Sequence, residues 1–162
     1  MPTPVGLSAT AGSKIYIGGV LAISATPFVE DDFAGMSWIN ISWVDNMGTF
    51  GDKAQDISFI AVDVQRTIKL KGSFDAGNLT LSCGIDYEDE GQSLCLAGLE
   101  TPYDYAFQVL FNDMPSGGTS GSTRYFIAKI TSMVEQLEAA NNVMKRQIIL
   151  GIDSNIVAVN AY

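Results

Sequence analysis

Apolar and polar residues alternate along much of this chain, which is the signature of strands with one covered face. Residues 103–112 place Tyr103, Tyr105, Phe107, Val109 and Phe111 at every second position. Residues 124–134 set Tyr125, Ile127, Lys129, Thr131 and Met133 against Phe126, Ala128, Ile130, Ser132 and Val134. Residues 36–44, with Trp38, Ile39, Ile41 and Trp43, read as another strand, since tryptophan and isoleucine favour the pleated surface. Residues 57–71 read as one long strand carrying Ile60, Val62, Val64, Ile68 and Leu70. Shorter strands are expected at 14–17, 20–24, 79–85, 143–152 and, as a strand or an arm, 156–162.

The alternation stops in four places. Residues 18–35 are rich in Gly, Ala, Thr, Pro and consecutive acids and read as mainly loop. Residues 45–56 hold Asp45, Asn46, Gly48, Gly51, Asp52 and Lys53, with Met47 and Phe50 exposed among them. A connection of that length is long for a hairpin and points to function. Residues 113–122 form a Gly/Ser-rich loop, and 135–142 a helical turn or hairpin tip. Asp75-Ala76-Gly77-Asn78 is a turn signal. The helix expected at 86–99 opens on Asp86, Glu88, Asp89 and Glu90, as the helix dipole favours, with Leu94, Leu96, Ala97 and Leu99 near one side. The sum is an α+β domain, mostly antiparallel sheet with one short helix, spanning 1–162 as a single domain.

Composition narrows the chemistry. The 162 residues contain no histidine, which removes Ser-His-Asp and Cys-His catalysis and the commonest zinc ligand. Eighteen acids against nine bases give a net charge of −9, so neither a basic nucleic-acid footprint nor a polybasic membrane anchor is expected. The start reads as lacking a signal peptide, and no apolar run approaches the ~20 residues of a membrane span. Cys83 and Cys95 read as reduced, partly buried residues, and the sequons at Asn40 and Asn78 as chance. No catalytic residue, metal ligand or cofactor site is assigned. The acids of 86–104 read as a solvated helix start rather than a calcium loop, and Gly117–Ser122 lacks the Gly-Lys-Ser/Thr end of a phosphate loop. Trp38, Trp43, Tyr103 and Tyr105 read as core or interface, with a carbohydrate platform as the alternative.

Segments 1–13, 45–56 and 155–162 look like arms or loops with no core of their own. Ordering them is entropically costly unless neighbouring copies hold them, so a homo-oligomer is expected.

The element order resembles the tail tube protein (major tail protein) of long-tailed bacteriophages and gene transfer agents. The run Lys69-Leu70-Lys71-Gly72 through Asp75-Ala76-Gly77-Asn78-Leu79-Thr80-Leu81 is similar to that family's strand–turn–strand before its helix. Asp89-Glu90-Gly91-Gln92-Ser93-Leu94-Cys95-Leu96-Ala97 resembles the helix, and Phe107 with 126–134 the following core strands. The resemblance implies a β-sandwich or split barrel with one short flanking helix. It implies hexameric rings with a continuous central β-barrel, stacked helically into a tube that conducts double-stranded DNA without specific binding. Inter-ring contact is implied for Asp45, Asn46, Met47, Gly48, Thr49, Phe50, Gly51, Asp52 and Lys53, with the N- and C-terminal arms also touching adjacent rings. Lumen-lining acids are expected among Asp45, Asp52, Asp56, Asp63, Glu135 and Glu138. The partners implied are other copies of the chain and the tape-measure, distal-tail and terminator proteins at the tube ends. The implied location is the virion tail, after synthesis in the host cytoplasm, with no membrane, no cofactor and no enzymatic activity. A carbohydrate-binding sandwich and the ring protein of a contractile secretion machine are the alternatives.

Overall fold

The computed structural model describes residues 6–162. Ten strands and one α-helix follow in chain order. They are β1 (Lys14–Val20), β2 (Ile39–Asn40), β3 (Val44–Asn46), β4 (Lys53–Phe59), β5 (Ile68–Asp75) and β6 (Asn78–Gly84), then α1 (Glu90–Leu99), β7 (Tyr105–Leu110), β8 (Thr123–Gln136), β9 (Lys145–Ile152) and β10 (Val157–Val159). A short 3-10 turn, Glu30–Phe33, lies between β1 and β2. Among the described residues no helix is long and apolar enough to cross a membrane.

Eight strands form one antiparallel sheet in the order β2-β1-β7-β8-β9-β6-β3, with β10 added on β8. The sheet is not closed by a strand pair. Its two edge strands are nonetheless consecutive in the chain, and residues 41–43 join them. The Ile41 amide donates to the Ile15 carbonyl on one side, and the Trp43 carbonyl accepts from the Gly84 amide on the other. The sheet therefore curls round one core of Ile15, Ile17, Leu79, Leu81, Phe107, Phe126, Ile148 and Leu150. The expected strand 36–44 is broken into β2 and β3 because the chain crosses between edges there, with Trp43 at φ 61°. No strand forms at 20–24; beyond Val20, residues 21–38 instead cross the opposite face of β7 and β8. There Phe33, with Phe28, Met36 and Trp38 beside it, covers Ala106 and Ile127.

The helix expected over 86–99 begins only at Glu90, because Asp89 caps it. The Asp89 carboxylate accepts from the Gln92 amide at 3.0 Å and from the Ser42 amide at 3.2 Å. Of the side expected to be covered, Leu94 and Leu99 pack against the main core and Leu96 and Ala97 are exposed; the buried positions are Gly91, Gln92, Cys95 and Gly98. A Cβ at Gly91 would stand 2.3 Å from the Asn40 carbonyl oxygen, so the small side of the helix is what lets it lie on β2. Gln92 is fully buried. Its amide nitrogen donates to the carbonyls of Ser42 (3.2 Å) and Gly84 (2.8 Å), and its oxygen accepts from the Asp86 amide at 3.3 Å. One side chain thus ties the helix to both sides of the 41–43 crossing. Cys83 and Cys95 are free, and burial pushes their thiols up to about 11 and about 12.

The chain's end is docked on its own body. Where β9 stops opposite Ala128, the chain turns and returns as β10 against Thr123–Tyr125. Asn155 pairs with the backbone of Phe28 in both directions, at 2.8 and 3.0 Å. Lys129 bridges Asp104 at 2.9 Å and Asp153 at 2.7 Å. The 113–122 loop is tied as well: both oxygens of Asp113 accept from Ser122, each at 2.6 Å, which holds the Asp113 carboxyl below its ordinary range. Residues 6–13 lie mostly exposed over the sheet end, with Asn112 donating to the Ala11 carbonyl at 2.7 Å. The part of the expected N-terminal arm at 1–5 lies outside the described residues.

Candidate assembly surfaces

The largest departure from the expected elements is at 57–71. These residues are not one strand. They belong to a hairpin of β4 and β5, joined by a turn in which the Val64 amide donates to the Ala61 carbonyl at 3.2 Å. The turn holds no Gly, Pro or Asn between 60 and 67, and Asp63 is its one turn-favouring residue.

This hairpin is a two-stranded sheet by itself. Its register sets Ala54 opposite Phe74, Ile57 opposite Leu70 and Phe59 opposite Ile68. Strand periodicity puts Ile57, Phe59, Ile68 and Leu70 on one face, and a bulge between Ala54 and Asp56 sets the Ala54–Phe74 pair apart from them. The other face pairs Asp56 with Lys71 and Ser58 with Lys69, while Lys53 stands opposite Asp75 beyond the bulge. The hairpin is therefore amphipathic, and its apolar face is uncovered: Ile57 is 50% exposed, Phe59 58% and Leu70 56%. An isolated hairpin is marginal in water, and an exposed apolar one invites pairing with another chain.

The hairpin also differs in charge from the rest. It contains Lys53, Arg66, Lys69 and Lys71 against Asp56, Asp63 and Asp75, leaving five bases and fifteen acids elsewhere. Among the described residues no ion pair uses any of its four bases; the four pairs are Lys129–Asp104, Lys129–Asp153, Lys145–Asp45 and Arg146–Glu135.

The segment 45–56, expected as one loop, is loop only over 47–52, because β3 reaches Asn46 and β4 begins at Lys53. Met47 and Phe50, expected exposed, fold back over the main core, with the Phe50 ring 6.0 Å from Phe126. Asn46 accepts from the Gly48 amide at 2.8 Å in a tight turn where Gly48 takes φ 66°. Thr49, Asp52 and Lys53 are exposed and Gly51 is half-buried.

The six acids considered for a lumen fall into three groups. Asp45, Glu135 and Glu138 lie at the end where β8 and β9 turn, and Asp45 pairs with Lys145 at 2.7 Å. That bond holds the Asp45 carboxyl below its ordinary range. Glu135 faces Arg146 at 3.5 Å, and Glu138, at φ 54°, accepts from Asn142. Asp56 and Asp63 ride on the hairpin, and Asp52 sits in the loop before it. All six are exposed.

The four aromatics weighed as a carbohydrate platform are not brought together. Trp38 packs in the small cluster at 5.8 Å from Tyr125, and Tyr105 packs against the main core. Trp43 stands exposed at the far end of β6, where its indole donates to Asp86 at 3.0 Å.

No family model matches the chain, and no curated protein matches it by sequence. Solved structures do match its fold. A chain of the anti-feeding prophage tube-terminating cap superposes with TM-score 0.67 at 13% identity, over 99% of this chain and 95% of that one. A chain of the sheath/tube terminator of an extracellular contractile injection system, PVC, gives 0.65 at 14% identity, over 98% and 97%. The SPP1 tail tube gives 0.61 at 13% identity, over 93% of this chain and 77% of that one. The chain thus has the fold shared by phage tail-tube proteins and by tube and terminator components of contractile injection particles.

Proposed function

We propose that this chain is a structural tube protein, assembling as stacked hexameric rings into a phage-like tail tube. The observation that carries this reading is the β4–β5 hairpin: an amphipathic element with nothing from its own chain on its apolar face, borne on a tail-tube fold. Contact with other copies would remove both that face and the open edges of the main sheet from water. Sheets of neighbouring copies would then join into a continuous barrel round a lumen. The inter-ring contacts comprise the exposed part of 45–53 together with the hairpin that follows it. Acids among Asp45, Asp52, Asp56, Asp63, Glu135 and Glu138 line the lumen and repel phosphate, so double-stranded DNA passes without sticking.

A second reading is the tube of a contractile injection or secretion particle. It is favoured by the length match, since the chain spans 95–97% of the cap and terminator chains but 77% of the SPP1 chain. Either tube would work with terminator proteins at its ends, in a tail or an injection particle.

Negative-stain microscopy beside light scattering over a concentration series tests the shared core of both readings. Rings or hollow tubes are expected; a monodisperse monomer at high concentration would overturn them. Lysine in place of the lumen acids is expected to leave tubes intact and slow DNA delivery. Undiminished delivery by such tubes would remove the electrostatic role.

A further inference from the structure

Trp43 is one of two non-glycine residues with positive φ among the described residues, the other being Glu138. Trp43 carries a bulky side chain at φ 61°, a conformation that L residues rarely take, and it is 69% exposed. Strain of this kind persists where the surroundings over-determine it, and it concentrates at functional positions. Here the Gly84 amide holds the Trp43 carbonyl at 2.9 Å, and Asp86 holds the indole nitrogen. The ring is thereby fixed at the rim of a cleft of about 520 Å³ lined also by Ile85 and Val143, with Asp45, Asp86 and Lys145 beside them. Val143, Met144 and Tyr87 nearby are also exposed. A rigid, exposed aromatic in an apolar cleft is the usual anchor of a protein interface.

The cleft and the hairpin sit at opposite ends of the same strand. The hairpin leaves the body where Asn78 of β6 pairs with Gly151, and the cleft lies where Gly84 pairs with Lys145. Seven strand residues separate these ends by roughly 20 Å. One end thus offers an apolar strand face flanked by unpaired bases. The other offers a cleft lined by Asp86 and by Asp45, the latter already paired with Lys145, within a body that holds fifteen acids to five bases.

We propose that the Trp43–Ile85–Val143 cleft is the seat for the β4–β5 hairpin of a second copy of this chain. The contact is heterologous, one end to the opposite end, so each copy both donates a hairpin and receives one, and the chain of contacts propagates. This inference rests on the tube-forming reading and names the receiving surface within it.

The test uses two variants that spare the fold. Trp43→Gly removes the ring and suits the backbone at that φ. The double variant Phe59→Ser/Leu70→Ser removes apolar surface from an already exposed face. Each variant alone is expected to raise the concentration needed for elongation at least about tenfold. Mixed one to one, they are expected to form short finite assemblies and no continuous tubes, because only one variant's hairpin and the other's cleft remain intact. Trp43→Gly elongating at the wild-type concentration would overturn the cleft as the seat while leaving the tube reading standing. A mixture that stays as dispersed as its components would overturn the pairing of these two surfaces. Wild-type chain that never elongates would overturn the tube reading itself, and this contact with it.

Discussion

β5 and β6 are consecutive strands with the same alternation and opposite fates. In β6, Leu79, Leu81 and Cys83 are wholly buried; in β5, Ile68, Leu70 and Phe74 stand in the open. β6 has β9 on one side and β3 on the other, with the main core on its inner face. β5 has only β4, and no layer covers the pair. Alternation settles which residues share a face, but a partner must exist before that face is buried. In this chain the partner of β6 is intramolecular, and the proposed partner of β5 is another molecule.

The contrast is sharpest with one substitution made in both strands. Leu81→Ala should cost about 2–5 kcal/mol in chemical denaturation, because it opens a cavity in a packed core. Leu70→Ala should change monomer stability by no more than about 0.5 kcal/mol, since no cavity forms. Equal losses would mean that the hairpin face is covered by its own chain in solution.

Gln92→Leu should lower stability by about 2–3 kcal/mol in the same measurement. It strands the Ser42 and Gly84 carbonyls and the Asp86 amide where water is excluded. It should also loosen Trp43, whose carbonyl partner Gly84 is one of those groups, seen as a shift in tryptophan emission. An unchanged melting curve would show that the crossing between the sheet edges holds without this side chain.

Asp113→Asn should cost about 1 kcal/mol by weakening the charge-assisted bonds from Ser122. The pH dependence follows from the lowered folded-state value. Asp113 contributes stability that is full above the ordinary carboxylate value of 3.8 and is lost as pH falls through its lower folded value. The Asn variant should therefore lose less stability than the wild type over that acid range, and parallel curves would count against the assignment. The smallest effect belongs to the exposed Lys145–Asp45 pair. Lys145→Ala should leave the denaturation midpoint almost unmoved, with any difference fading in high salt.

Much of the fold was legible because local chemistry and long-range packing agree there. β7 and β8 appear where their patterns put them, and the helix falls within the expected 86–99. The candidate site was far less legible. The apolar residues of 57–71 were visible, but a turn without Gly, Pro or Asn concealed that they fold back into a hairpin. Trp43 looked like one more strand residue within 36–44, and nothing local reveals that the chain crosses between sheet edges there. Met47 and Phe50 looked like loop residues, yet the open end of the core needed covering and they supply it.

By itself the sequence determined the predominance of strands, the helix, the acidic balance and the lack of histidine. Each of these is set within a few residues or by simple composition. Only the tertiary structure decided which apolar faces are covered, where the sheet edges meet, and that the hairpin and the Trp43 cleft lie at opposite ends of β6. Burial and adjacency depend on residues far apart in the chain, and a local pattern carries no record of which distant partner it will find.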